Sequence, residues 1–196
     1  MNLDYWRHYL RARLFEMLRR PDAALDEYRA ALVAKPGARR AQYALAFLYA
    51  RQQRWREAEP SLREALRLDP DNADIWFNLG FVCEKLDEPM KAIDAFRNTV
   101  QRNPKLDRAW YGLGLRLAAL GNHTEACKAL QQAAELQPMN GFAWYHLGMA
   151  HHTLGNTDKV TEVVKHLNRF DRKLTRQLIL DAARDDLKKL VADMRV

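Results

Sequence analysis

Three heptapeptides in register constrain this chain more than any other feature: "IWFNLGF" at 75–81, "AWYGLGL" at 109–115 and "AWYHLGM" at 143–149. Trp76, Trp110 and Trp144 stand 34 residues apart, and each is followed by an aromatic, a variable residue and Leu-Gly. A fixed period of this length signals stacked supersecondary units that bury a core only against their neighbours. With each Trp at position 4, units begin at 39, 73, 107 and 141, and a backward extension begins at 5. The frame recovers residues that were not used to set it. Position 20 is Ala24, Ala58, Ala92, Ala126 and Val160; position 24 is Tyr28, Leu62, Phe96, Leu130 and Val164. Position 27 is Ala31, Ala65, Thr99, Ala133 and Leu167, and position 32 is Pro36, Pro70, Pro104 and Pro138.

Within a unit the apolar positions 4, 7, 8 and 11 recur at helical spacing, which places Trp76, Leu79, Gly80 and Cys83 on one helix face. Gly at position 8 lets the second helix approach closely, and Ala92 with Phe96 faces back toward it. Replacing Trp76 by Ala should then cost roughly 3–5 kcal/mol. Gly121-Asn122 and Gly155-Asn156 read as helix ends and turns, and Pro21 and Pro89 as first helical residues. The four prolines at position 32 stop the second helix of each unit. Pro60 departs from this scheme and predicts a kink or a late helix start.

The pattern W-x-x-L-G, small at 20, apolar at 24, Ala at 27 and Pro at 32 resembles the tetratricopeptide repeat, a 34-residue helix–turn–helix unit. The resemblance spans about residues 5–174. It implies an all-α, right-handed superhelical α-solenoid of antiparallel helix pairs, with units 5–38, 39–72, 73–106, 107–140 and 141–174. The first unit has His8 at position 4, the second has Gln42, and the fifth lacks the final Pro. Terminal degeneracy is expected of an array. Leu174, Leu178, Ile179, Ala182, Leu187 and Leu190 form an apolar stripe opposite Arg176, Arg184, Asp185 and Lys188, and residues 175–196 read as a capping helix over the fifth unit. A membrane-surface amphipathic helix is the rival reading.

The resemblance also implies a concave groove lined by the first helix of each unit. Position 5 holds Tyr9, Tyr43, Phe77, Tyr111 and Tyr145, and position 9 holds Arg13, Phe47, Phe81, Leu115 and Met149. These positions lie one turn apart. Tyr43/Phe47, Phe77/Phe81, Tyr111/Leu115 and Tyr145/Met149 should therefore form an apolar stripe suited to a partner's peptide or helix. Asn78 and Arg108 lie on the same surface, and Arg40, Arg51 and Lys85 flank it, with Asp74 and Glu84 opposing. The family's clamp for a chaperone's terminal carboxylate would need basic and Asn residues where this chain has Tyr43, Phe47, Asn78, Arg108 and Gly112; two of the five fit.

Other chemistries find little support. The chain has no P-loop, no H-E-x-x-H and no Cys-x-x-Cys, and the "GLGLRLAALG" glycines sit within a helical pattern rather than after a strand. No enzyme activity, cofactor or metal site is expected. His146, His151 and His152 are the one suggestive ligand cluster, with packing as the default, and Cys83 and Cys127 read as buried free thiols. The net charge of +7 is uneven: +4 over residues 1–72, zero over 73–140 and +3 over 141–196. The neutral middle argues against an RNA-binding reading built on the basic ends and aromatics. Self-assembly through end faces or groove is a further alternative. No apolar run approaches the roughly 20 residues of a membrane span, and no secretory signal pattern opens the chain. The expected location is cytoplasmic, although a fragment of a larger or anchored protein would look the same.

Overall fold

The computed structural model describes residues 2–191. Among these residues regular structure is helical throughout. In chain order the helices are α1 (Leu3–Met17), α2 (Pro21–Ala34), α3 (Arg39–Arg51), α4 (Trp55–Leu68), α5 (Ala73–Lys85), α6 (Pro89–Arg102), α7 (Asp107–Ala119), α8 (His123–Leu136), α9 (Gly141–Thr153), α10 (Thr157–Leu167) and α11 (Arg172–Asp181), followed by a 3-10 helix (Asp185–Val191). The chain forms two compact halves, one through Arg102 and one from Asn103. In the N-terminal half α1 pairs with α2, α3 with α4 and α5 with α6; in the C-terminal half α7 pairs with α8 and α9 with α10, and α11 packs on α9 and α10.

Each pair is closed by the same few positions. The residues at positions 20, 24 and 27 are all exposed by 2% or less, from Ala24, Tyr28 and Ala31 to Val160, Val164 and Leu167. Thr99, the one polar member, donates its hydroxyl to Ala95 O at 2.9 Å and so buries no unpaired group. Close approach at position 8 is real: a Cβ on Gly80 would lie 2.7 Å from the Phe96 ring, and one on Gly114 would lie 2.6 Å from Leu130 Cγ.

The turn inside each pair repeats one conformation, which the residue type announces in only two of the five pairs. Arg19, Gln53 and Asp87 have φ of 54°, 59° and 58°, and Gly121 and Gly155 have 79° and 71°. All five occupy position 15. The left-handed residue ends the first helix and lets the next amide bond back, as Arg20 N does to Phe15 O at 2.9 Å. Only two of the five use the residue that adopts this conformation without steric cost.

The position-4 tryptophans link each pair to the turn before it. Trp76 Nε1 donates to Pro70 O at 2.8 Å, Trp110 Nε1 to Pro104 O at 2.8 Å and Trp144 Nε1 to Pro138 O at 2.9 Å. The guanidinium of Arg102 stacks 5.3 Å from the Trp76 ring and donates Nε to the same Pro70 carbonyl at 2.9 Å. Where Trp is absent, the position-4 side chain bonds to the second helix instead. His8 Nδ1 lies 2.6 Å from Glu27 Oε2, and Gln42 Nε2 donates to Ser61 O at 3.2 Å.

Two local expectations change. Helix α4 begins at Trp55 and runs through Pro60, so the proline does not delay its start. The C-terminal helix starts at Arg172 and ends at Asp181 rather than running over 175–196, because Ala183 takes φ 50°. Arg184 then fixes the 3-10 segment: it donates to Thr157 O and Thr161 Oγ1, both at 2.9 Å, and pairs with Asp186 at 2.7 Å. Residues 192–196 of the expected cap lie outside the described residues.

Candidate functional site: an aromatic groove with an arginine rim

In the N-terminal half an open groove of about 700 Å³ runs between α1 and α3, lined by Tyr9, Arg13, Glu16, Met17, Arg40, Tyr43, Ala44, Phe47 and Arg51. Its floor is aromatic because positions 5 and 9 stack one turn apart: the Tyr43 and Phe47 rings lie 6.3 Å apart, and Phe47 is 40% exposed. Asn78 on α5 donates Nδ2 to the Tyr43 hydroxyl at 3.3 Å, which fixes that ring. Burial, and then the nearby Asp74 carboxylate, pushes the Tyr43 hydroxyl above its ordinary pKa, so it stays a neutral donor at physiological pH.

The rim is basic. Glu16, the one carboxylate of the lining, accepts a 2.6 Å hydrogen bond from the Tyr28 hydroxyl and lies 3.4 Å from Arg13 and 3.9 Å from Arg51. It offsets part of the charge of those two arginines. Arg40 makes no ion pair among the described residues and leaves a positive end to the groove.

The remaining expected groove residues behave differently from one another. Phe81 is 37% exposed, but its ring meets the edge of Trp55 at 5.8 Å and Lys85 Nζ lies 5.2 Å above it, outside the α1–α3 lining. Phe77 is half-buried and leans on Phe96 at 6.0 Å, so it also serves the pair's own packing. In the C-terminal half, Tyr111 and Tyr145 flank His146 at 5.9 and 5.1 Å, Leu115 and Met149 are half-buried, and Arg108 is exposed. Tyr145 donates its hydroxyl to Asp181 Oδ2 on α11 at 2.5 Å. That bond, with burial second, pushes its pKa up to about 12. Glu16 and Met17 were not among the expected site residues, although they occupy positions 12 and 13, which the repeat turns toward the groove.

The histidines do not converge on a metal site. His146 sits between tyrosines, and burial lowers its pKa; His151 Nδ1 lies 3.5 Å from Cys127 Sγ. Among the described residues one trio of ligand atoms comes together within 4.8 Å: Glu59, Cys83 and Glu88. Lys91 Nζ already lies 3.5 Å from Glu59 and 2.9 Å from Glu88, and Arg63 lies 2.9 Å from Glu59. Both carboxylates are thus neutralised by cations of the chain. Burial, and then the Glu59 charge, pushes the Cys83 thiol up to about 11, which disfavours the thiolate a metal needs.

Comparison with known proteins agrees with this geometry. A family profile described as TPR repeat matches residues 48–87 and 114–155, and one described as tetratricopeptide repeat matches residues 9–55. The chain belongs to the tetratricopeptide repeat (TPR) family. No curated protein sequence matches it. Among solved structures, the TPR protein YrrB, which has an unusual peptide-binding site, is 25% identical with a TM-score of 0.78, covering 90% of each chain. MamA is 24% identical with a TM-score of 0.78, over 95% of this chain and 98% of that one. PilF of Pseudomonas aeruginosa is 20% identical with a TM-score of 0.71, over 89% of this chain and 80% of that one. The fold class is thus the all-α TPR solenoid of antiparallel helix pairs, a non-catalytic scaffold fold whose general role is protein–protein interaction. No helix among the described residues is long and apolar enough to cross a membrane.

Proposed function

We propose that this TPR protein is a non-enzymatic adaptor that seats an apolar-rich peptide or helix of a partner protein in the α1–α3 groove. The exposed Phe47 beside Tyr43 carries the reading, since it leaves an aromatic surface facing water where a helix would ordinarily be polar. The aromatic floor supplies the apolar contact, and Arg13, Arg40 and Arg51 orient the ligand and select against basic ones. The likeness to YrrB, a TPR protein with a peptide-binding site, supports a peptide ligand.

Selection from a random peptide library, with Phe47→Glu as the counter-target, tests the proposal. Peptides chosen by the wild-type protein should be apolar-rich and should bind Phe47→Glu at least about tenfold more weakly, since losing one buried aromatic contact removes more than 1.4 kcal/mol. Phe81→Glu, outside the groove lining, should have a smaller effect. Equal binding of the selected peptides to wild type and Phe47→Glu, with unchanged helical circular dichroism, would refute it.

A further inference from the structure

Helix α1 has two apolar faces. Tyr5 and Ala12 turn inward and are buried, as the packing against α2 requires. Leu3, Leu10 and Leu14 point the other way and are 70, 61 and 52% exposed, and Met17, 81% exposed, lies between this face and the groove whose edge it also lines. At 3.6 residues per turn these four fall within an arc of about 60°, opposite Ala12. An ordinary surface helix keeps its apolar stripe inward and its charges outward. The corresponding helices α3, α5 and α9 each expose a single large apolar side chain, Phe47, Phe81 and Phe142.

The repeat frame explains the chemistry of this face. Leu14 is position 10, where the following pairs have Leu48 and Val82, buried to 2% and 0%. In those pairs the first helix rests on the preceding one: α3 packs on α2, and α5 packs on α3 and α4. On α1 the same position faces outward with no helix of the described chain over it. Leu14 therefore holds a helix-stacking position at one edge of this apolar face, and the element that complements it is a helix.

Charge identifies the kind of helix. Arg7 and Arg11 border the stripe on one side, Trp6 and Arg13 on the other, and Arg19 and Arg20 follow its end. Arg7 and Arg11 pair with Asp4 and Glu27 yet remain 61 and 54% exposed. Glu16 is turned away toward Tyr28. A second copy of α1 laid antiparallel would bring Arg7 and Arg11 against the same arginines. We infer that the outer face of α1 docks an acidic amphipathic helix of a partner protein. This goes beyond the groove reading and does not depend on it.

The test uses the full chain and two synthetic helical peptides of about fifteen residues, the length that covers α1. Both carry Leu at i, i+3, i+4 and i+7; one has Glu and the other Lys at the flanking positions. In fluorescence anisotropy the Glu peptide should bind, at least tenfold more tightly than the Lys peptide, and more weakly as salt rises. Leu10→Ser/Leu14→Ser should weaken it at least tenfold, Arg7→Glu should reduce the preference for Glu over Lys, and the groove variant Phe47→Glu should change nothing. Leu10 and Leu14 are exposed, so the double variant keeps the fold, checked by circular dichroism. Three results would each overturn the inference: binding of neither peptide, equal binding of both, or a concentration-dependent dimer in sedimentation velocity that Leu10→Ser/Leu14→Ser dissolves.

Discussion

The helix-pair spacing can be measured with one methyl group. In Gly114→Ala the new Cβ would fall 2.6 Å from Leu130 Cγ, 2.9 Å from its Cδ2 and 3.2 Å from its backbone N. Two of these atoms, Cγ and the backbone N, do not move by rotating a terminal methyl, and Leu130 is fully buried, so α7 and α8 must separate. Overpacking of this kind costs about 1–3 kcal/mol. Helix propensity pulls the other way, because Ala is favoured over Gly by roughly 0.8–1.0 kcal/mol in a helix interior. The net expectation is a loss of about 0–2 kcal/mol, read as a lower urea midpoint with an unchanged slope. Gly37→Ala is the internal control: nothing lies within 4 Å of its Cβ and its φ is not left-handed, so it should stabilise by about 0.4–1 kcal/mol through the unfolded state. Leu130→Ala should relieve the clash, so the double variant with Gly114→Ala should lose less than the two single losses together. A Gly114→Ala protein more stable than wild type by the propensity term, roughly 0.8–1.0 kcal/mol, would refute the close-packing account and leave propensity alone to govern the site.

Four further outcomes are expected. Trp76→Phe removes the indole donor to Pro70 O and weakens the stack with Arg102, and should cost about 1–2 kcal/mol by chemical denaturation; the indole is half-buried, so even Trp76→Ala should fall at the low end of the roughly 3–5 kcal/mol range for aromatic truncation. Gln53→Gly should raise the thermal midpoint, because a left-handed non-glycine residue costs roughly 1–2 kcal/mol and the entropic penalty of Gly is smaller. Tyr145, whose folded pKa is raised, contributes stability that is complete below the ordinary tyrosine pKa and is lost as pH rises toward about 12, whereas Asp181, whose pKa the Tyr145 hydrogen bond lowers, contributes stability that is lost as pH falls through the acid range. Tyr145→Phe should therefore remove the latest of the partly exposed tyrosine ionisations seen in ultraviolet titration and flatten the acid side of the stability curve. Cys83, buried with its thiol pushed up to about 11, should resist alkylation in the native protein and react at the unfolded rate in denaturant.

Much of the fold was legible because it rests on recurring residue types at fixed offsets. Ala24 to Val160 and Tyr28 to Val164 could be placed in the core from spacing alone, since each pair must bury the same face. The bonds made by those types were less visible. Trp76 and Pro70 are both conspicuous in the frame, yet the hydrogen bond between them runs from a side chain to the carbonyl of a residue read only as a helix stop. Position 15 shows the limit from the other side. Gly121 and Gly155 announce a left-handed turn, whereas Arg19, Gln53 and Asp87 adopt one because the backbone bonds at the helix end outweigh the steric cost.

Site residues divide along the same line. Tyr43, Phe47 and Asn78 meet because they belong to neighbouring first helices in one half, the contact a repeat frame describes best. Tyr145 holds the same position as Tyr43, but its hydroxyl is bound to Asp181, on a helix that is not a regular repeat element. Position within a repeat thus fixes which way a side chain points, and the next element decides whether it remains available. The two ends of the chain answer that question in opposite ways. At α9, α11 takes the Tyr145 hydroxyl and covers Gly148 with Leu178. At α1 no described element does the same for Leu10 and Leu14, although Leu14 holds a position that is buried in α3 and α5 as Leu48 and Val82. Among the described residues, the stacking surface is thus covered at α9 and left apolar and arginine-bordered at α1. Recognition by a complementary helix would account for that difference.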